Sequence, residues 1–302
     1  MSAPTEVPTK SAETSTPTEV PAKSAALRNL LRRLRAHPLG LVGLFLLLLL
    51  AGFCFLGPYF YHTDQTYVSL ADAVLPPTSE HPLGTDANGF DALGRLMKGG
   101  QVSLQIGLLA AVTATVIGTL YGTIAGLAKG FLDGAMMRLV DILLSVPFLF
   151  VVLILSARFS TNPISLGLII GAFSWLVPAR LVRGEVLSLR VREFVLAARV
   201  MGASRPRLIL THLIPNALGV IIVNITFQVA DAILVVATLG FLGFGLSYPS
   251  TDWGSQLSDG ATYISDGYWW LVYPVGACII LTVLALNLLG EALREMFARQ
   301  TH

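Results

Sequence analysis

The sequence predicts an all-α fold, a polytopic bundle of six transmembrane helices, and three observations predict it. Of its 302 residues, 54% are hydrophobic and only 13% are charged, with a mean hydropathy of +0.71, which lies outside the range of soluble globular domains. Six apolar stretches approach the roughly 20 residues that a helix needs to cross the hydrocarbon core of a bilayer. The lysines and arginines between them are placed unevenly, in a pattern that assigns an orientation. The net charge of +2 gives no indication of a nucleic-acid partner.

Residues 1–26 are rich in Pro, Thr, Ser, Glu and Ala, and PTEVPTKSA at Pro4 recurs as PTEVPAKSA at Pro17. Such a segment cannot bury enough apolar surface to fold, and it is expected to be a disordered cytoplasmic tail. An N-terminal anchor follows at 27–62: the basic cluster Arg28, Arg32, Arg33 and Arg35 precedes an apolar run that ends in Gly57-Pro58-Tyr59-Phe60-Tyr61. That ending lacks the small-residue pattern of a cleaved signal, so the anchor is expected to stay. Residues 63–100 are expected to be extracytoplasmic and residues 101–295 to form the core transmembrane domain.

The six spans are predicted at 39–60, 103–128, 136–157, 164–182, 217–243 and 269–293. In the second, Gly118, Gly122 and Gly126 place a small residue at every fourth position and open one face to another helix backbone. Arg138 and Asp141 stand one turn apart in the third and are expected to form a local ion pair. Pro178 and Arg180 interrupt the end of the fourth. The fifth carries Asn224, Gln228 and Asp231 on one face. Intramembrane ionisable groups usually face a cavity or a partner, so this face is a candidate pathway lining, where Asp231 attracts an ammonium group, or else a helix interface held by hydrogen bonds. Asn287 and Glu291 in the last span are expected to be structural or interfacial. Cys54 and Cys278 lie in apolar runs without His or a second Cys at ligand spacing, so no metal site is expected and both are read as packing residues.

With the tail inside, six crossings leave Arg95, Lys98 and Arg158 outside and the other seventeen of twenty Lys and Arg inside. The positive-inside rule then places both termini in the cytoplasm. The best-patterned segment becomes the cytoplasmic stretch 190–215. Val191, Phe194, Val195, Ala198 and Met201 follow the rhythm of one apolar helix face. Gly202 supplies a stop, Ser204 caps a second short helix whose first turn tolerates Pro206, and Pro215 is expected to end it. The result is a helical knob in which Ala197 and Ala198 leave room for a partner surface.

The spacing Ala197-Ala198, three residues, Gly202, then twelve residues to Pro215 resembles the EAA loop of bacterial ABC importer permeases, with Leu196 and His212 departing from the usual Glu and Ile. His81-Pro82-Leu83-Gly84-Thr85-Asp86 through Arg95, Met137-Arg138 with Asp141 and Pro147, and Phe241-Leu242-Gly243-Phe244-Gly245 with Pro249 and Trp253-Gly254 resemble motifs of the C-type permease subunits of dipeptide, oligopeptide and nickel importers. Phe90 and Val236 depart from the Arg and Glu usual there. The four motifs fall in family order over residues 38–295. The resemblance implies an ABC importer type I permease fold, paired with a second homologous permease. It implies two ATPase subunits, separate or fused, that dock on a coupling helix carrying Glu193, Ala197, Ala198, Gly202, Ala203 and Pro215. It further implies an extracytoplasmic solute-binding protein, a peptide substrate, and residence in the bacterial inner membrane. Nickel chelates or glutathione are the alternative substrates.

No G-x-x-x-x-G-K-[ST] phosphate loop occurs. This chain is therefore expected to bind no cofactor, with ATP and Mg held by the partner ATPases, and to be no enzyme by itself. The rival reading, an ion-gradient-driven secondary transporter, would call for repeated halves around broken helices at the midplane. No repeat relates the two halves of this chain.

Overall fold

The computed structural model describes residues 37–63, 68–128, 130–159, 162–246 and 250–298, apart from the side chains of Arg205 and Ala298. The tail, the basic cluster of the anchor and Pro249 lie outside these. Among the described residues eleven α-helices follow in chain order: α1 (Pro38–Phe60), α2 (Ala92–Leu127), α3 (Phe131–Ser145), α4 (Phe148–Arg158), α5 (Pro163–Ser174), α6 (Leu176–Leu189), α7 (Glu193–Val200), α8 (Arg205–Leu208), α9 (Ile214–Phe241), α10 (Trp253–Ala261) and α11 (Tyr273–Ala298). A π-helical turn, Ile209–Leu213, joins α8 to α9.

Among the described residues four stretches are long and apolar enough to cross a membrane as single helices: Pro38–Phe60, Ala92–Leu127, Pro206–Phe241 and Trp269–Phe297. The third and fourth predicted spans are not single rods. Each is a bent pair, with 75° between α3 and α4 and 47° between α5 and α6. Prolines cause both breaks, since Pro147 and Pro178 lack the amide hydrogen that would continue the ladder. Counting each pair as one span restores the expected six.

α2 is the central pillar and packs against α1, α5, α6 and α9, while α11 packs against α1 and α9. Its 36 residues begin well before the predicted start at Ser103. The Asp91 side chain accepts the Gly94 amide at 2.7 Å, a cap that starts the helix there. The glycine stripe does what its spacing suggests. A Cβ on Gly118 would lie 2.6 Å from Pro178 Cβ and 2.9 Å from the Trp175 carbonyl, and one on Gly126 would lie 2.7 Å from Val186. α2 and α6 therefore approach backbone to backbone.

Segments 68–91 and 250–272 meet as a cap over one end of the bundle. Trp253 is fully buried, donates its indole N–H to the Leu96 carbonyl at 3.0 Å and its amide to Ser103 Oγ at 3.1 Å. Tyr61 donates to Asp91 Oδ2 at 2.8 Å, and His81 Nδ1 shares that oxygen at 2.9 Å. Arg95 stacks on the Phe90 ring with 4.7 Å to its centroid and pairs with Asp86 at 3.5 Å. Burial pushes the Asp86 carboxyl above its ordinary range, against the backbone amides of Phe90 and Asn88 and the charge of Arg95. The His81-to-Asp86 motif is thus built into this cap. Cys54 and Cys278 are free thiols that pack in one cluster with Leu50, Leu96 and Trp253, the packing role expected.

At the opposite end, Arg183 grips Asp133 with two parallel bonds of 2.6 and 2.7 Å, and Arg180 pairs with Asp141. This corrects the expected Arg138–Asp141 pair. Arg138 is exposed, whereas the bend brings α6 alongside α3 and offers Asp141 an arginine from another helix. Two ion pairs tie α3 to α6.

Candidate functional sites

The first site is the knob at the end that carries these ion pairs. Arg190 ends α6 and donates to the Gly126 carbonyl at 2.8 Å, turning the chain under α2. α7 then runs for eight residues with Glu193 in its first turn and Arg199 in its last, charges that suit the helix dipole. Its end is a complete Schellman closure: Gly202 N–H bonds the Arg199 carbonyl at 3.1 Å and Ala203 N–H bonds the Ala198 carbonyl at 3.0 Å. Gly202 has φ +83, the left-handed conformation that this closure requires.

Val195 and Ala198 of α7 are buried with Val182, Val186 and Leu189 of α6, Leu208 of α8, Leu213 and Ala217. Ala203 packs at the edge of this cluster, while Glu193 and Ala197 are exposed. The apolar face predicted for α7 is narrower than expected, because Val191, Phe194 and Met201 are exposed. An eight-residue helix anchored through Val195 and Ala198, with the Phe194 ring tilted against His212, leaves much of its surface exposed. Leu196, Val200 and Met201 are exposed, Val200 at 88% and Met201 at 81%. Beside them Gly202 has open space where a side chain would be. Pro215 does not end a helix, contrary to expectation. It stands at the second position of α9, and the turn before it widens so that Ile214 N–H reaches the Ile209 carbonyl. A π turn is one way for a helix to absorb a proline.

The second site lies where the two bent spans face α9. A cavity of about 480 Å³ is walled by Val146, Pro147 and Phe148 at one bend, by Phe173, Ser174 and Trp175 at the other, and by Gln228 and Asp231. Of the predicted polar face, Gln228 and Asp231 reach this cavity and Asn224 does not. Pro178 follows Ser174 by four positions and so leaves the Ser174 carbonyl without its helical partner. Gln228 Nε2 supplies one at 2.8 Å. The same device recurs at α1, where Pro58 frees the Cys54 carbonyl and Gln101 Nε2 donates to it at 2.7 Å. Sequence reasoning missed both pairings, although a proline within an apolar span and a glutamine on another are the signal to seek.

Gln228→Leu is expected to lower stability by about 1–3 kcal/mol, the cost of a buried carbonyl left unpaired. The measurement is the thermal midpoint of the detergent-solubilised chain. An unchanged midpoint would mean that another donor reaches Ser174.

Residues 118–302 match the family described as the binding-protein-dependent transport system inner membrane component, and residues 26–77 match the N-terminal transmembrane domain of oligopeptide transport permease C. The chain is 38% identical over 267 residues to the dipeptide transport system permease protein DppC of Bacillus subtilis, covering 87% of this chain and 82% of that protein. It is 41% identical over 266 residues to the oligopeptide transport system permease protein OppC of Escherichia coli (strain K12), covering 87% and 88%. Against OppC of Salmonella typhimurium the identity is 42% over 269 residues, covering 87% and 88%.

Proposed function

This chain belongs to the family of binding-protein-dependent transport system inner membrane components, and from that premise we propose that it is one of two permease subunits of an ATP-driven importer of short peptides. Relatives named for dipeptide and oligopeptide transport support the peptide assignment. The observation that carries the coupling role is the knob. A short helix is fixed to the core by one narrow face and closed by a left-handed glycine, with an apolar surface turned outward at the end of the bundle that also holds the arginine-rich loop.

In this reading the knob faces the cytoplasm, as do both termini, and Leu196, Val200 and Met201 sit in a groove of an ATPase subunit. ATP and Mg belong to that partner, and this chain does no chemistry of its own. α7 is packed on α6, and α6 is bound to α3 through Arg180–Asp141 and Arg183–Asp133. A push on the knob is therefore delivered to the inner halves of both bent spans, the walls of the cavity. Nucleotide shifts the pathway between inward and outward states only through its different affinity for the two. A solute-binding protein would deliver peptide to the capped end.

The test is ATPase activity of the chain co-purified in lipid with a partner permease and ATPase, with and without peptide-loaded binding protein. Complex formation with peptide-stimulated hydrolysis is expected. Stimulation by a nickel chelate or glutathione in place of peptide would overturn the substrate assignment. A folded chain that binds no ATPase would overturn the importer reading.

A further inference from the structure

The cavity between the bends has an unbalanced chemistry. Among the described residues Asp231 is its only ionisable lining group; Ser174 and Gln228 are its other polar ones, and the remaining walls are apolar or aromatic, with Phe148, Phe173 and Trp175 among them. Among the described residues Asp231 has no hydrogen-bond or ion-pair partner. No arginine lines the cavity, and Arg180 and Arg183, which follow the α5–α6 bend, pair with Asp141 and Asp133. Gln228 spends an amide hydrogen on the Ser174 carbonyl, and its side-chain oxygen remains an acceptor. A charged group in an apolar span is costly and is normally matched by a partner. Aromatic faces around it favour a cation.

We propose that this cavity is a subsite for a primary ammonium of the passing solute, with Asp231 as its counter-charge and Gln228 as the residue that positions the wall beside it. The proposal rests on the importer reading and adds the chemical group that is recognised. The ammonium belongs to a peptide's amino terminus or to a lysine side chain. Passage of a peptide that carries no ammonium would draw nothing from Asp231.

The experiment uses the full complex in proteoliposomes with saturating binding protein, comparing wild type, Asp231→Asn and Asp231→Glu. The probes are trialanine, N-acetyl-Ala-Lys-Ala and N-acetyl-trialanine, which carry a terminal ammonium, a side-chain ammonium and none. Asp231→Asn is expected to lower turnover by about tenfold or more for at least one ammonium-bearing peptide, the scale of a lost charge-assisted bond. The peptide that loses turnover identifies the source of the ammonium. N-acetyl-trialanine should change by less than about twofold, with ATPase stimulation retained and most of the loss restored by Asp231→Glu. Equal losses on all three peptides would assign Asp231 a structural role and overturn the subsite, as would no loss on any. Failure of the wild type to take up any of the three would instead overturn the peptide importer reading itself, and the subsite with it.

Discussion

Gly118→Leu should sharply reduce accumulation of the folded chain, cutting the monodisperse fraction of detergent-solubilised protein about fivefold or more. The first added carbon would meet Pro178 Cβ at 2.6 Å, the Trp175 carbonyl at 2.9 Å and the Ala179 amide at 3.0 Å. Two of these are backbone atoms at a bend and cannot swing aside as a side-chain tip can. Overpacking in a core costs about 1–3 kcal/mol and occasionally more, and here the whole leucine side chain would also have to fit between α2 and α6. Gly52→Leu is the control, because nothing lies within 4 Å of the position its Cβ would take. Its yield should stay within about twofold of wild type, since the substitution removes a helix-disfavouring glycine. Equal yields for the two variants would refute the close helix approach.

The second large effect is expected at Gly202 and concerns coupling more than folding. Its surroundings are open, so no side chain clashes there, and the penalty is conformational. Holding a non-glycine residue at φ +83 costs about 1–2 kcal/mol. Gly202→Ala should therefore leave a folded chain with a loosened end to α7 and a modest loss of binding-protein-stimulated ATPase activity. Gly202→Trp adds bulk on the exposed surface beside Val200 and Met201, and should reduce that stimulation about tenfold while the two permease chains still co-purify. The ratio between the variants is the informative measurement. A tryptophan variant that behaves like the alanine variant would show that no partner surface meets the knob at this point.

The elements legible in the sequence were those governed by local rules. Hydropathy located the spans, a glycine every fourth residue marked the tight face of α2, and Gly202 marked the end of α7. The failures arose where a distant residue intervened. α2 extends back through Arg95, Lys98 and Gly99 because Asp91 caps it and Trp253 covers it, and neither fact is present in a hydropathy window. Asp141 took an arginine 39 positions away in place of one three positions away, because the 47° bend sets α6 beside α3. Pro215 looked like a terminator, yet a widened turn carried the helix past it. For the knob, periodicity counted five apolar residues on one face but could not tell that the core beneath reaches only Val195 and Ala198. In the fifth span, spacing put Asn224, Gln228 and Asp231 on one face but could not tell that only Gln228 and Asp231 line the cavity at the bends.

The two glutamines that answer proline-freed carbonyls have a consequence for how such a chain can change over generations. Each binds together two positions remote in sequence, Pro58 with Gln101 and Pro178 with Gln228. Losing the glutamine alone strands a carbonyl in an apolar setting, whereas losing the proline first restores the ordinary ladder and releases the glutamine from its duty. Drift is therefore directional, with the proline replaced before its distant amide. Lineages that have shed either proline should be the ones in which the matching position has become free to carry leucine or valine.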